Sequence, residues 1–278
     1  MTGAARGGGR ERLDRLLFER GLAPSRERAQ AMVLAGVVRI DGHPAGKPGS
    51  LVRREAVLSI VGPDHPYVGR GGVKLAGALR RLSVDPAGRV VLDVGASTGG
   101  FTDCLLQRGA IRVYALDVGH GILDWKLRRD PRVVVLEGRN ARALRPEDLP
   151  EPVDLAVADV SFISLRLILP AVAPLVKPGG PILALVKPQF EAGRGKVGKG
   201  GIVRDTAIQR QALLDVAGAA VACGLRVAGG CPSPLRGAEG NLEFFLRLEG
   251  IDAAPDGPAL EALVAGMIDE GSAGGLTD

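Results

Sequence analysis

Three cysteines and three histidines are all that the 278 residues contain, and both shortages narrow the chemistry. Cys104, Cys223 and Cys231 form neither a CxxC pair nor a cluster with histidine. Reduced thiols in a reducing compartment are therefore expected, with no disulfide framework and no thiolate metal site. His43, His65 and His120 are widely separated, which argues against histidine-based metal catalysis and against a Ser-His-Asp triad. No run reaches about 18 uninterrupted apolar residues, because Asp159, Arg166 and several prolines break the richest region. Met1 to Arg10 is polar, glycine-rich and basic, without the apolar centre of a signal peptide. A soluble, cytoplasmic, metal-free protein is the expectation.

What is present is ordinary in bulk and uneven in distribution. With 46% hydrophobic and 24% charged residues, the chain is long enough for one large domain and a small one. Residues 1–66 carry 11 Lys/Arg against 7 Asp/Glu, residues 67–248 carry 25 against 17, and residues 249–278 carry none against 7. A basic body with an acidic tail suits a polyanionic partner, most simply nucleic acid; an arginine-rich surface that only confers solubility is the alternative. The expected division is a flexible leader (1–10), a small domain (11–61), a linker (62–68), a large domain (69–250) and an acidic tail (251–278). The tail is expected to be disordered from about Gly271.

In the small domain, Arg12 to Gly21 has apolar residues at 13, 16 and 17 and a glycine stop, which predicts a short helix. Ser25 caps a second, from Arg26 to Ala35. Val37–Ile40 and Ala56–Val61 read as strands, with Asp41-Gly42 as a turn. Two small helices followed by short strands resemble the S4 RNA-binding domain, carried by Arg12-Leu-Asp-x-Leu-Leu, Ser25-Arg26-x-x-Ala29 and Val38-x-Ile40-Asp41-Gly42. Arg12, Arg26, Arg28, Arg39, Lys47, Arg53 and Arg54 are the candidate phosphate contacts. A protein-binding module with solvated arginines is the bland alternative.

Beyond the linker, Gly69-Arg-Gly-Gly-Val-Lys74 leads into a helix running to about Leu82. Strand candidates follow at Val90–Val94, Arg112–Leu116, Val133–Leu136, Leu155–Ala158, Pro181–Val186, Leu225–Val227 and Asn241–Leu246. Helical patterns separate several of them, at Phe101–Arg108, Leu165–Val176 and Asp205–Cys223. This alternation predicts an α/β fold, an open sheet with helices on both faces.

The first of these strands ends in Asp93-Val-Gly95-Ala96-Ser97-Thr98-Gly99-Gly100. A strand, a glycine-rich turn and a helix form a nucleotide-cofactor geometry, because glycines admit close backbone approach. The dinucleotide pattern G-x-G-x-x-G fails at Ser97. The turn resembles instead the first motif of class I (Rossmann-like) methyltransferases, in which the methionine moiety of S-adenosylmethionine lies over it. Asp117 ends the next strand, 22 residues after Gly95, where an acid can grip ribose hydroxyls. Val118 follows it. The third strand ends near Glu137-Gly-Arg-Asn140, where such enzymes contact adenine.

Side chains at the carboxyl ends of neighbouring strands converge on the ligand crevice, which brings Asp159 and Lys187 together. With Lys74 and Glu243, the latter expected in a late strand, they resemble the Lys-Asp-Lys-Glu tetrad of FtsJ-type ribose 2′-O-methyltransferases. A ribose hydroxyl is a weak acid. Lys187 could act as general base if burial or Lys74 lowered its pKa, with Asp159 and Glu243 orienting; purely positional catalysis remains the alternative.

The stretches Gly69–Leu75, Leu92–Asp103, Tyr114–Gly119, Asp159–Ser164, Val186–Glu191 and Gly240–Glu243 are together similar to the TlyA family, over residues 11 to about 248. That resemblance implies 2′-O-methylation of cytidine in 16S and/or 23S ribosomal RNA, on RNA or ribosomal subunits. The sequence departs from the pattern at Gly138, where a bulkier residue is expected. Gly193-Arg-Gly-Lys-Val-Gly-Lys199 matches a phosphate-loop spacing, but Gly200 replaces the magnesium-binding Ser/Thr. Lys196, Lys199 and Arg204 are read instead as RNA-facing. Trp125, the only tryptophan, is expected to pack its helix, with a base-stacking platform as the alternative. The rival readings are a membrane-active hemolysin and a non-catalytic RNA-binding protein.

Overall fold

The computed structural model describes residues 9–23, 25–61, 65–193, 195–237, 239–250 and 260–273. Residues 1–8 of the leader, Pro24, the first three residues of the linker (62–64), Arg194, Ala238 and residues 251–259 and 274–278 of the tail lie outside the described residues. The chain divides into two compact units, residues 1–70 and 71–278.

In the first unit, β1 (Arg10–Arg12) runs directly into α1 (Leu13–Glu19), followed by α2 (Arg26–Leu34), β2 (Val38–Ile40), β3 (His43–Pro44), β4 (Leu51–Arg53) and β5 (Leu58–Ile60). Ser25 Oγ accepts the Arg28 amide at 3.1 Å and starts α2. Asp41 and Gly42, both at positive φ, turn β2 into β3. β3-β2-β5 form one antiparallel sheet, and β1 pairs with β4 in a second. Arg10, assigned from sequence to a flexible leader, is therefore a strand residue opposite Arg53. A three-residue charged strand has no periodicity to betray it.

Leu13, Leu17, Ala29, Val33 and Val38 make a small core. Beside it the buried carboxylate of Asp14 accepts from Arg12 Nε at 3.0 Å and Nη2 at 2.8 Å, from Gln30 at 2.8 Å and from the Arg15 amide at 2.8 Å. Arg26 adds a contact at 3.4 Å. The Arg12 guanidinium, outweighing burial and helped by Gln30, holds this carboxyl well below the usual aspartate range. Its contribution is thus present at neutral pH and lost only as pH falls into strong acid. Asp14→Ala removes the buried acceptor on which these half-exposed donors converge and is expected to cost about 2 kcal/mol. Hydrogen exchange should then accelerate across residues 9–61, with cofactor binding by the second unit unchanged.

The second unit begins with α3 (Gly71–Arg81), then β6 (Val90–Val94), α4 (Gly100–Gln107), β7 (Arg112–Asp117), α5 (Trp125–Arg128), β8 (Val133–Glu137) and β9 (Leu155–Ala158). It continues through α6 (Leu169–Val172), β10 (Ile182–Val186), α7 (Pro188–Glu191), α8 (Thr206–Ala222), β11 (Leu225–Pro232), β12 (Phe244–Gly250) and α9 (Leu260–Ser272). Among the described residues the sheet order is β11-β12-β10-β9-β6-β7-β8. β12 runs antiparallel to both neighbours, and the pairings from β10 to β8 are parallel. β6, β9 and β10 are buried along their whole length, as parallel strands covered on both faces must be. Chain order reverses between β6 and β9, which opens a crevice at their carboxyl ends.

Three expectations are corrected here. Glu243 precedes β12 instead of lying in a strand: Asn241 is held in a loop, its Oδ1 accepting the Val203 amide and its Nδ2 donating to the Gly201 carbonyl. Residues 165–176 are not one helix, because Pro170 and Pro174 break them into 3-10 turns around the four residues of α6. Gly271 and Ser272, where disorder is expected to begin, belong instead to α9. α9 buries Val264, Met267, Ile268 and Gly271, one stripe at helical spacing, and packs on β11. Its acids are used in ion pairs, Glu270 with Arg81 and Glu261 with Arg210. Cys104, Cys223 and Cys231 are free thiols, and burial pushes that of Cys231 up to about 11.

Candidate active site

The crevice is built on the glycine turn. Gly95 and Ala96 donate their amides to the Leu116 carbonyl at 2.8 and 2.9 Å, pinning the turn to β7. Gly95 has φ +87°, and a Cβ there would collide with the Asp159 carbonyl, so β6 and the loop after β9 can approach only with glycine. Asp117 takes two amides on its carboxylate, Ser97 N–H on Oδ2 and Gly119 N–H on Oδ1, each at 2.8 Å. Those bonds hold Ser97 in the left-handed region, at φ +50°.

A cleft of about 370 Å³ opens beside this turn. Of the residues expected to hold the cofactor, Gly95, Ser97, Asp117, Val118, Asn140 and Asp159 line it. Asp93, Ala96, Thr98, Gly99 and Gly100 do not; they are buried and shape the turn. Asp93 accepts the Thr102 hydroxyl at 2.6 Å, and burial pushes its carboxyl up to about 7, aided by Asp159 and Asp117. Glu137 also stays out of the cleft, bonded to the Gly121 amide and paired with Arg128. Gly138 has φ +70°, and a Cβ there would strike the His120 ring. The sequence departure at this position thus makes room for a histidine.

The four residues of the expected tetrad come together as two ion pairs. Lys187 Nζ lies 2.5 Å from Asp159 Oδ1 and donates to Ser161 Oγ at 2.9 Å. Lys74 Nζ, one turn into α3, lies 2.5 Å from Glu243 Oε2. Lys74, Lys187 and Glu243 are buried, and Asp159 is the member that faces the cleft. The expectation of a lowered Lys187 pKa is overturned. Burial does press it down, but Asp159 and Glu243 outweigh burial and hold it above the ordinary lysine value. Burial likewise presses Asp159 upward, and Lys187 and Lys74 more than offset it, leaving the carboxyl below its ordinary value. Lys187 is therefore an ammonium at rest.

Ser161 and Glu191 were not singled out from the sequence. Glu191 ends α7 and accepts from Ser164 Oγ at 2.5 Å and from the Leu165 amide at 2.8 Å. It ties the loop after Asp159 to the segment after Lys187. Its only signal in sequence is its place four residues beyond Lys187. Phe162, at φ +64°, stands at the cleft mouth 91% exposed.

The expected RNA contacts fare unevenly. Arg12 and Arg26 spend charge on Asp14, and Arg54 pairs with Glu11 and Glu19. Arg39 donates to the Gly36 carbonyl at 2.8 Å. Arg53 is 3.8 Å from Asp41 with most of its side chain in solvent. Arg28, Lys196, Lys199 and Arg204 are exposed. Trp125 does not pack its helix; it is 61% exposed.

Comparison with known proteins fits this geometry. The FtsJ-like methyltransferase family profile matches residues 67–249, and the S4 domain profile matches residues 11–58. The 16S/23S rRNA (cytidine-2′-O)-methyltransferase TlyA of Mycobacterium tuberculosis is 49% identical over 264 residues, 94% of this chain and 98% of that protein. A Brachyspira hyodysenteriae protein named Hemolysin A is 39% identical over 235 residues, 84% of this chain and 98% of that one. A solved structure from Streptococcus thermophilus, also described as a hemolysin, superposes with TM-score 0.73 at 42% identity, covering 97% of this chain and 99% of that one.

Proposed function

The chain belongs to the FtsJ-like methyltransferases, in their TlyA family with an S4 domain at the N-terminal end, and from that premise we propose that it methylates the 2′-hydroxyl of a cytidine in 16S and/or 23S ribosomal RNA. The observation that carries this reading is the Lys187–Asp159 pair at the edge of the cleft, backed by the Lys74–Glu243 pair. No N-methylating Pro-Pro motif and no cysteine nucleophile stands at the end of β9; Asp159 and Ser161 stand there, with Lys187 at the end of the neighbouring β10.

S-adenosylmethionine, when bound, would supply an electrophilic methyl group and a positive charge beside the tetrad. Asp117, Val118 and Asn140, which line the cleft, would hold the adenosine part, with Gly95 and Ser97 against the remainder. Asp159 and Ser161 fix the direction of Lys187 Nζ. With that positive charge in the cleft, the two carboxylates would hold the Lys187 proton less tightly. Lys187 Nζ, once neutral, would accept the proton of the ribose hydroxyl as its oxygen bonds the methyl carbon, the sulfur keeping the electron pair of the bond that breaks. Glu243 keeps Lys74 paired, so that a second buried ammonium is not left uncompensated.

Among the described residues no helix is long and apolar enough to cross a membrane, and nothing in the site favours the hemolysin reading. The test is methyl transfer from labelled cofactor to ribosomal subunits and to protein-free ribosomal RNA. The label is expected at a single cytidine class whose 3′ phosphodiester resists alkaline hydrolysis, since the ribose oxygen is blocked. Label on a base, or none on RNA, would refute the proposal.

A further inference from the structure

The only tryptophan of the chain sits on the cofactor side of the second unit and is left bare. α5 is fixed against the glycine turn: the Asp124 amide donates to the Thr98 carbonyl at 3.1 Å, and Leu123 and Leu127 lie close against Gly99. With both leucines turned inward and buried, Trp125 points out, 61% exposed. Arg129, four residues on and so on the same helical face, places its guanidinium 5.8 Å from the centre of the Trp125 ring. Among the described residues Arg129 makes no ion pair, whereas its neighbours Arg128 and Lys126 are paired with Glu137 and Asp103. Val118, which lines the cleft, is 72% exposed.

An indole and an uncommitted guanidinium, locked beside the methyl-donor turn, offer an aromatic face and a positive charge. A nucleotide presents the complement, a base with a π face and a phosphate. The excess of Lys/Arg over Asp/Glu in residues 67–248, 25 against 17, points the same way. We infer that Trp125 and Arg129 form a contact for an RNA nucleotide flanking the modified one, with Trp125 stacking on the base and Arg129 meeting the phosphate. This rests on the reading of the protein as an RNA methyltransferase.

Because no other tryptophan exists, fluorescence reports on this residue directly. With the cofactor product at saturation, titrating the full-length protein with protein-free ribosomal RNA, or with a single-stranded RNA dodecamer, is expected to quench Trp125 emission. Trp125→Ala should raise KM for RNA about tenfold, with kcat and cofactor affinity unchanged. Trp125→Phe should recover most of the loss, and Arg129→Ala should shift KM in the same direction. Emission that ignores RNA while the wild-type protein still methylates it would overturn this inference and leave the proposed function standing. Emission that responds to whole ribosomal subunits but not to stripped RNA would assign the surface to a ribosomal protein, and so also overturn it. Absence of methylation by the wild-type protein would instead remove the premise.

Discussion

Lys187→Ala is expected to slow single-turnover methyl transfer about a thousandfold, the range lost when a positioned proton acceptor is removed, with cofactor affinity nearly unchanged. The expectation rests on position. Lys187 Nζ is the only tetrad ammonium joined to a group that lines the cleft, through Asp159 at 2.5 Å and Ser161 at 2.9 Å. Cofactor affinity is spared because Asp117 and the glycine turn stand on other strands. Lys187→Arg keeps the charge but not an amine that can release its proton, so it should be nearly as slow. The pH profile follows from the ionisation of the Lys187 ammonium, whose pKa is held above the ordinary lysine value at rest and eased downward by the cofactor's positive charge. Below that pKa the neutral fraction grows tenfold per pH unit, so the rate should climb through the alkaline range with unit slope and flatten above it. A rate independent of pH between neutrality and that pKa would show that Lys187 never surrenders a proton and only positions the hydroxyl.

The second large effect is expected at Asp117. Asp117→Ala should weaken cofactor binding about a hundredfold, or about 2.7 kcal/mol, measured calorimetrically with the demethylated product to separate binding from chemistry. Two losses combine. The acidic partner for a ribose disappears, and the Ser97 and Gly119 amides lose their acceptor. Ser97 is then no longer held at positive φ, and the turn that shapes the cleft relaxes. Asp117→Asn keeps an acceptor for only one of those two amides, its own amide nitrogen facing the other donor, and should fall between the two. An alanine variant that binds as tightly as the wild type would move the ribose site elsewhere in the cleft.

Much of this site was legible in the chain because its parts are local. A buried strand, a positive-φ turn and a helix occupy consecutive residues, so Gly95 and its neighbours announce themselves. Asp117 follows from the fixed length of a strand, a helix and a second strand. The S4 pattern is likewise short-range, set by Ser25 as a cap and Asp41-Gly42 as a turn. Proline effects are equally local, and Pro170 and Pro174 break the helix that the apolar periodicity of residues 165–176 suggests.

What the sequence by itself determined, then, was the glycine-rich turn, the four residues proposed to react and the chain order of the elements around them. Tertiary structure alone decided how those four combine. Lys74 pairs with Glu243 across 169 residues of chain, and Lys187 pairs with Asp159. A lone buried lysine would titrate low, whereas one facing two carboxylates titrates high, and the sign changes with neighbours that no sequence window contains. The same reason governs the arginines of Asp14, the buried stripe of α9 beneath an acidic composition, and the exposed ring of Trp125. Local geometry follows from the residues in order; charge state and exposure are set by contacts between residues distant in the chain.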